Sequence, residues 1–100
     1  MRGGAKTSKI SADGAVSTTR SKLYGYNIVG GTTTITTVAF EDGDGGTEKW
    51  FDSIILQTVI GDATVGYSFD PPVEFMSGIY VDITTTDGYV YVLYEDELPV

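Results

Sequence analysis

The sequence contains neither cysteine nor histidine. Without cysteine there are no disulfides, no thiolate metal sites and no thiol nucleophile. Without histidine the chain lacks the commonest general base and the commonest transition-metal ligand, so neither a Ser-His-Asp nor a Cys-His site can be assembled within it. No apolar run approaches the length of a membrane span, and Met1-Arg2-Gly3-Gly4 is followed by no apolar stretch, so neither membrane insertion nor a signal peptide is expected. Basic residues are also scarce: six against fourteen acids, for a net charge of −8. A body this acidic repels phosphate, which argues against nucleic acid as a partner. These absences point to a non-enzymatic protein that needs no cofactor.

What is present suits one small all-β domain. One hundred residues hold one modest core. The 41% hydrophobic and 12% aromatic content is too apolar for a disordered chain, and Thr, Val, Ile and Tyr, which fit a pleated sheet, dominate it.

The charge is divided along the chain. Arg2, Lys6, Lys9, Arg20 and Lys22 lie in the first 22 positions, opposed there by Asp13 alone; the rest sets Lys49 against every other acid. Residues 1–14 read as an extended, flexible basic arm, its first eleven positions too polar to fold alone, ahead of a single sandwich domain at 15–100. The arm residues Arg2, Lys6 and Lys9 are candidates for docking on an acidic neighbour, including a second copy of the chain. The bland alternative is a frayed, solubilising terminus.

Short extended segments cut by turn residues fill the rest. Residues 15–20 read as a weak strand and 22–29 as a better one. Gly30-Gly31 reads as a tight hairpin turn leading to a partner strand over 32–40, with Thr34, Thr36, Val38 and Phe40 on one face. An acidic loop follows, then an apolar stretch over 48–60, read as a buried strand although Trp50, Phe51, Ile54 and Ile55 would also suit one face of a short helix. Residues 63–69 form the next strand, which Asp70-Pro71-Pro72 is expected to stop. Residues 73–76 are briefly extended. Residues 78–85 place Ile79, Val81 and Ile83 in the core, and Asp87-Gly88 reads as a hairpin turn into 89–95, where both faces are apolar. Seven or eight short strands with turns about every ten residues indicate an antiparallel β-sandwich, jelly-roll or immunoglobulin-like.

Three clusters carry whatever chemistry the sequence offers. Glu41, Asp42, Asp44 and Glu48 crowd one glycine-rich loop, and carboxylates so spaced can wrap Ca²⁺, although the following ligand positions of an EF-hand are missing. The alternative is a hairpin tip where Asp and Gly simply make turns. Glu95, Asp96 and Glu97 form a second cluster able to receive a neighbour's basic arm, or merely a solvated end. Among seven tyrosines, Tyr80, Tyr89 and Tyr91 are candidates for an outward interface stripe, the alternative being a core position under the second sheet.

The strand opening Leu23-Tyr24-Gly25, the close Phe40-Glu41-Asp42-Gly43, the stretch Phe75-Met76-Ser77-Gly78-Ile79-Tyr80-Val81 and the last strand Tyr91-Val92-Leu93-Tyr94-Glu95 together resemble small β-sandwich structural proteins of tailed bacteriophages, over roughly residues 20–96. That resemblance implies a virion location and a capsid decoration (cement) protein that binds the major capsid protein or another virion protein and stabilises the shell, with a trimer or other cyclic homo-oligomer expected. It implies, as the alternative, a tail or fibre-associated module binding a host-surface glycan through exposed tyrosines and the acidic loop.

Overall fold

The structure, a computed structural model, describes residues 5–31, 35–55 and 64–97, with backbone alone for 52–55. Among the described residues eight strands run in chain order: β1 (Lys6–Ile10), β2 (Gly14–Ser17), β3 (Ser21–Val29), β4 (Ile35–Asp42), β5 (Glu48–Ile55), β6 (Thr64–Phe75), β7 (Ile79–Thr84) and β8 (Tyr89–Asp96). They form two four-stranded sheets, β1-β8-β3-β6 and β2-β7-β4-β5, in which every pairing is antiparallel. The chain is all-β, a sandwich of two sheets.

The pairing follows one rule. The first strand pairs with the eighth, the second with the seventh, the third with the sixth and the fourth with the fifth. The chain is thus one long antiparallel ribbon doubled at the β4–β5 turn, and successive ribbon segments alternate between the sheets. Two cross-pairings, β3 with β8 and β4 with β7, then close each sheet.

Alternation decides what faces inward. Leu23, Tyr26, Ile28, Phe75, Val90, Val92 and Tyr94 come from one sheet, and Val38, Phe40, Ile79, Val81 and Ile83 from the other; all are buried in one cluster. The core assignment of Ile79, Val81 and Ile83 is borne out, and the face of β4 that carries Thr36, Val38 and Phe40 is the buried one. Thr36 is the polar member: its hydroxyl donates to Gly30 O at 3.0 Å and lies 2.9 Å from the Thr85 hydroxyl, so it is buried without an unmet hydrogen bond. Along the open side between β5 and β6, Trp50 packs on Phe69 at 4.5 Å and on Tyr67 at 5.9 Å, with Tyr26 behind.

Four expectations are corrected. Lys6–Ile10 is not part of a flexible arm; it is an edge strand with five residues in register with β8. Its Thr and Ser side chains carry no apolar period, and the partner strand supplies the hydrogen bonds that hold it. Gly30-Gly31 and Asp87-Gly88 are not hairpin turns, because the strands on either side of each lie in different sheets. Gly31 has φ +66°, and a Cβ there would come within 2.8 Å of Gly88 N, so the two crossovers pack on each other. Asp70-Pro71-Pro72 does not end its strand. β6 runs through it, with the Asp70–Pro71 bond cis and a shift of register opposite, which an edge strand accommodates because one side has no ladder to lose. The 48–60 run is a strand as far as Ile55; residues 56–60, like 32–34 and Arg2, lie outside the described residues.

Candidate functional site

The acidic loop is a structural joint. Asp42, at the end of β4, accepts hydrogen bonds from the amides of Ser77 (2.7 Å) and Met76 (3.1 Å), and Lys49 Nζ lies 3.8 Å away. Desolvation pushes this carboxyl upward, but the two amides and Lys49 outweigh it and hold it below the usual carboxylate range. Both Asp42 oxygens thus face the turn joining β6 to β7, where the chain passes between sheets. Glu41 points instead to the outer face of its sheet, opposite Tyr80. Asp44 and Glu48 are exposed. The four carboxylates expected to wrap a cation are not gathered, and among the described residues no group of three or more Asp or Glu is placed to hold a metal.

Lys6, Lys9 and Arg20 are engaged within the chain itself. Lys6 Nζ lies 3.0 Å from Asp96 Oδ1, an oxygen shielded from solvent whose charge this ammonium answers. Hydrogen bonding to Asp96, then its charge, raises the Lys6 pKa. Lys9 Nζ sits 4.2 Å above the Tyr89 ring. Arg20 bonds Glu74 at 2.8 Å and approaches Glu97 at 3.8 Å. The contact between the basic start and the acidic end, expected across two subunits, is therefore met inside one chain.

The tyrosine stripe divides. Tyr89 and Tyr91 lie on β8, edge to face at 5.4 Å, on the outer side of the first sheet. Tyr80 lies on β7, on the outer side of the second. Around Tyr80 gather Asp44, Asp13, Asp82 and Glu41; desolvation first, then these charges, raise its pKa. Asp13 lies in the β1–β2 turn and accepts the Ile83 amide at 2.7 Å. Its charge raises the Asp82 pKa, with desolvation and a hydrogen bond between the two carboxyls adding to it. The second sheet thus presents an acidic outer face, extended at its β5 side by Phe51, which is 59% exposed.

The first sheet presents a groove of about 480 Å³. Two registered rows form it: Thr7, Leu93, Gly25 and Ser68 in one, Tyr91, Asn27 and Gly66 in the other. Tyr91 was expected on an exposed surface; Asn27, Gly25 and Gly66 were not singled out. Their signal was a lone glycine inside each of two strand patterns, which marks close backbone approach, and one amide in an apolar strand. Among the described residues no helix is long and apolar enough to cross a membrane. Neither a protein-family model, nor a curated protein, nor a solved structure matches the chain.

Proposed function

We propose that the protein is a non-enzymatic structural protein of a virus particle that binds the capsid surface as a decoration (cement) protein and stabilises the shell. The observation that carries this reading is the wrapping of the chain. An eight-stranded ribbon folded at its middle and rolled into sheets β1-β8-β3-β6 and β2-β7-β4-β5 is the strand order of a jelly roll, an architecture used by viral capsid domains. The sequence resemblance to phage structural proteins points the same way.

The acidic face around Tyr80 is the surface offered to the major capsid protein. Four carboxylates gather there around one tyrosine, so a basic partner would steer toward them. Binding that exists only on the assembled shell adds its free energy to that state alone. A cyclic homo-oligomer, a trimer in the simplest case, would place this face over a symmetry axis of the lattice.

The test is sedimentation with purified mature capsids. The protein should add at a stoichiometry set by lattice symmetry and raise the capsid melting temperature. Reversing charge at Glu41, Asp44 and Asp82 to Lys should abolish addition while the chain stays folded. Failure of the unaltered protein to bind intact capsids overturns the reading.

A further inference from the structure

We propose that the groove across the outer face of the β1-β8-β3-β6 sheet binds a neutral saccharide. The inference goes beyond the capsid reading and is independent of it, since the groove and the acidic face lie on opposite sheets.

The groove crosses the strands. Its longer row spans all four, three interstrand steps of about 4.8 Å or about 14 Å in all, which is room for a short oligosaccharide. Its volume, about 480 Å³, falls within the range of about 300–1,000 Å³ usual for small-ligand sites. The floor is low because two outward positions have no side chain. A Cβ on Gly25 would come 2.6 Å from Tyr67 O, and one on Gly66 would run into Asn27 Oδ1.

The lining selects the ligand class. Tyr91 and Leu93 keep 38% and 41% of their surfaces exposed, offering an aromatic ring and an apolar wall. Asn27 brings two N–H donors and a carbonyl, and Ser68 and Thr7 bring hydroxyls that both donate and accept. A pyranose ring has this mixture reversed: an apolar C–H face to lie on Tyr91 and a rim of hydroxyls to meet the amide and hydroxyls. Among the described residues no charged side chain lines the groove. The lysines of this sheet's edge strand are occupied, Lys6 by Asp96 and Lys9 by the Tyr89 ring. A phosphate or carboxylate ligand would therefore lose hydration without gaining a counter-charge. An extended peptide is disfavoured for another reason. It binds sheets by adding to a free edge, whereas β8 and β3, under the centre of the groove, are paired on both sides.

The test begins with the full chain on an array of neutral glucans, mannans, galactans and N-acetylglucosamine oligomers beside sialylated and sulfated counterparts. The retained neutral oligosaccharide is then titrated while amide chemical shifts are followed. Saturable binding is expected, with shifts centred on Gly25, Asn27, Gly66, Ser68 and Tyr91. Tyr91→Ala, and separately Ser68→Trp to fill the trough, should each weaken binding by about tenfold or more, with thermal midpoints unchanged and capsid addition retained. Retention of no neutral glycan, preference for the anionic set, shifts centred elsewhere, or full affinity in both variants overturns the proposal.

Discussion

The two outer faces of the sandwich are built from the same device and end up chemically opposite. Each is one side of a four-stranded antiparallel sheet whose other side is buried. On the first, the outward positions of β3 and β6 include Gly25, Gly66, Asn27 and Ser68, so the surface sinks into an uncharged groove. On the second, the outward positions of β7 and β4 include Tyr80, Asp82 and Glu41, with Asp13 and Asp44 beside them, so the surface is acidic. The inner faces must match in volume to pack, but nothing couples the outer faces to each other. A net charge of −8 therefore describes one face of this molecule far better than the other.

The change with the largest expected effect removes what both faces share. Phe40 is fully buried on the second sheet and lies 5.2 Å from Tyr26 of the first. Phe40→Ala should cost about 3–5 kcal/mol in urea unfolding, and both faces should lose order together; survival of either face alone would show that the sheets are not one cooperative unit. Next comes Asp42, which joins the end of β4 to the crossover between sheets. Asp42→Ala leaves two amides without their acceptor and should cost about 1–3 kcal/mol. Because the folded-state pKa of Asp42 is lowered, its contribution is present above the unfolded value and is lost as pH falls through the folded one.

The acidic face predicts the opposite slope. Asp82 has a raised folded-state pKa, so between the unfolded and folded values the native chain holds a proton that the unfolded chain has released. That contribution to stability is present below the unfolded value and lost as pH rises through the folded one. Asp82→Asn should flatten this dependence and raise the melting temperature at neutral pH; a lower melting temperature would mean that the Asp13–Asp82 pair is a stabilising contact. The smallest effect is expected at Lys6. Lys6→Ala removes an ion pair whose lysine is half exposed, and the melting temperature should scarcely move. Faster hydrogen exchange confined to β1 would identify the pair as the clasp that holds the edge strand.

Strands with a clear period of two were legible from sequence. β7 and β8 fall almost where the alternation places them, since Ile79, Val81, Ile83, Val90 and Val92 repeat at every second residue. β1 was not legible, because Lys6, Thr7, Ser8 and Lys9 carry no such pattern and the strand depends on a partner more than eighty residues away. Gly30-Gly31 and Asp87-Gly88 announce a change of direction. Whether the next strand pairs with the last or crosses to the other sheet depends on side chains far along the chain. Among the candidate site residues, exposure of Tyr91 was anticipated, while the division of the tyrosines between sheets and the reuse of Asp42 as a joint were not.

By itself, then, the sequence determined the class, the inward set of each patterned strand and the absence of thiol and imidazole chemistry. These depend on composition and on alternation, which act over a few neighbouring residues. The tertiary structure alone decided the pairing of first strand with last, the internal match of Lys6 to Asp96, the gathering of acids about Tyr80 and the row that sets Tyr91 beside Asn27 and Gly66. Each is a matter of register between distant strands, and register is set by the fit of the whole buried face rather than by any one segment.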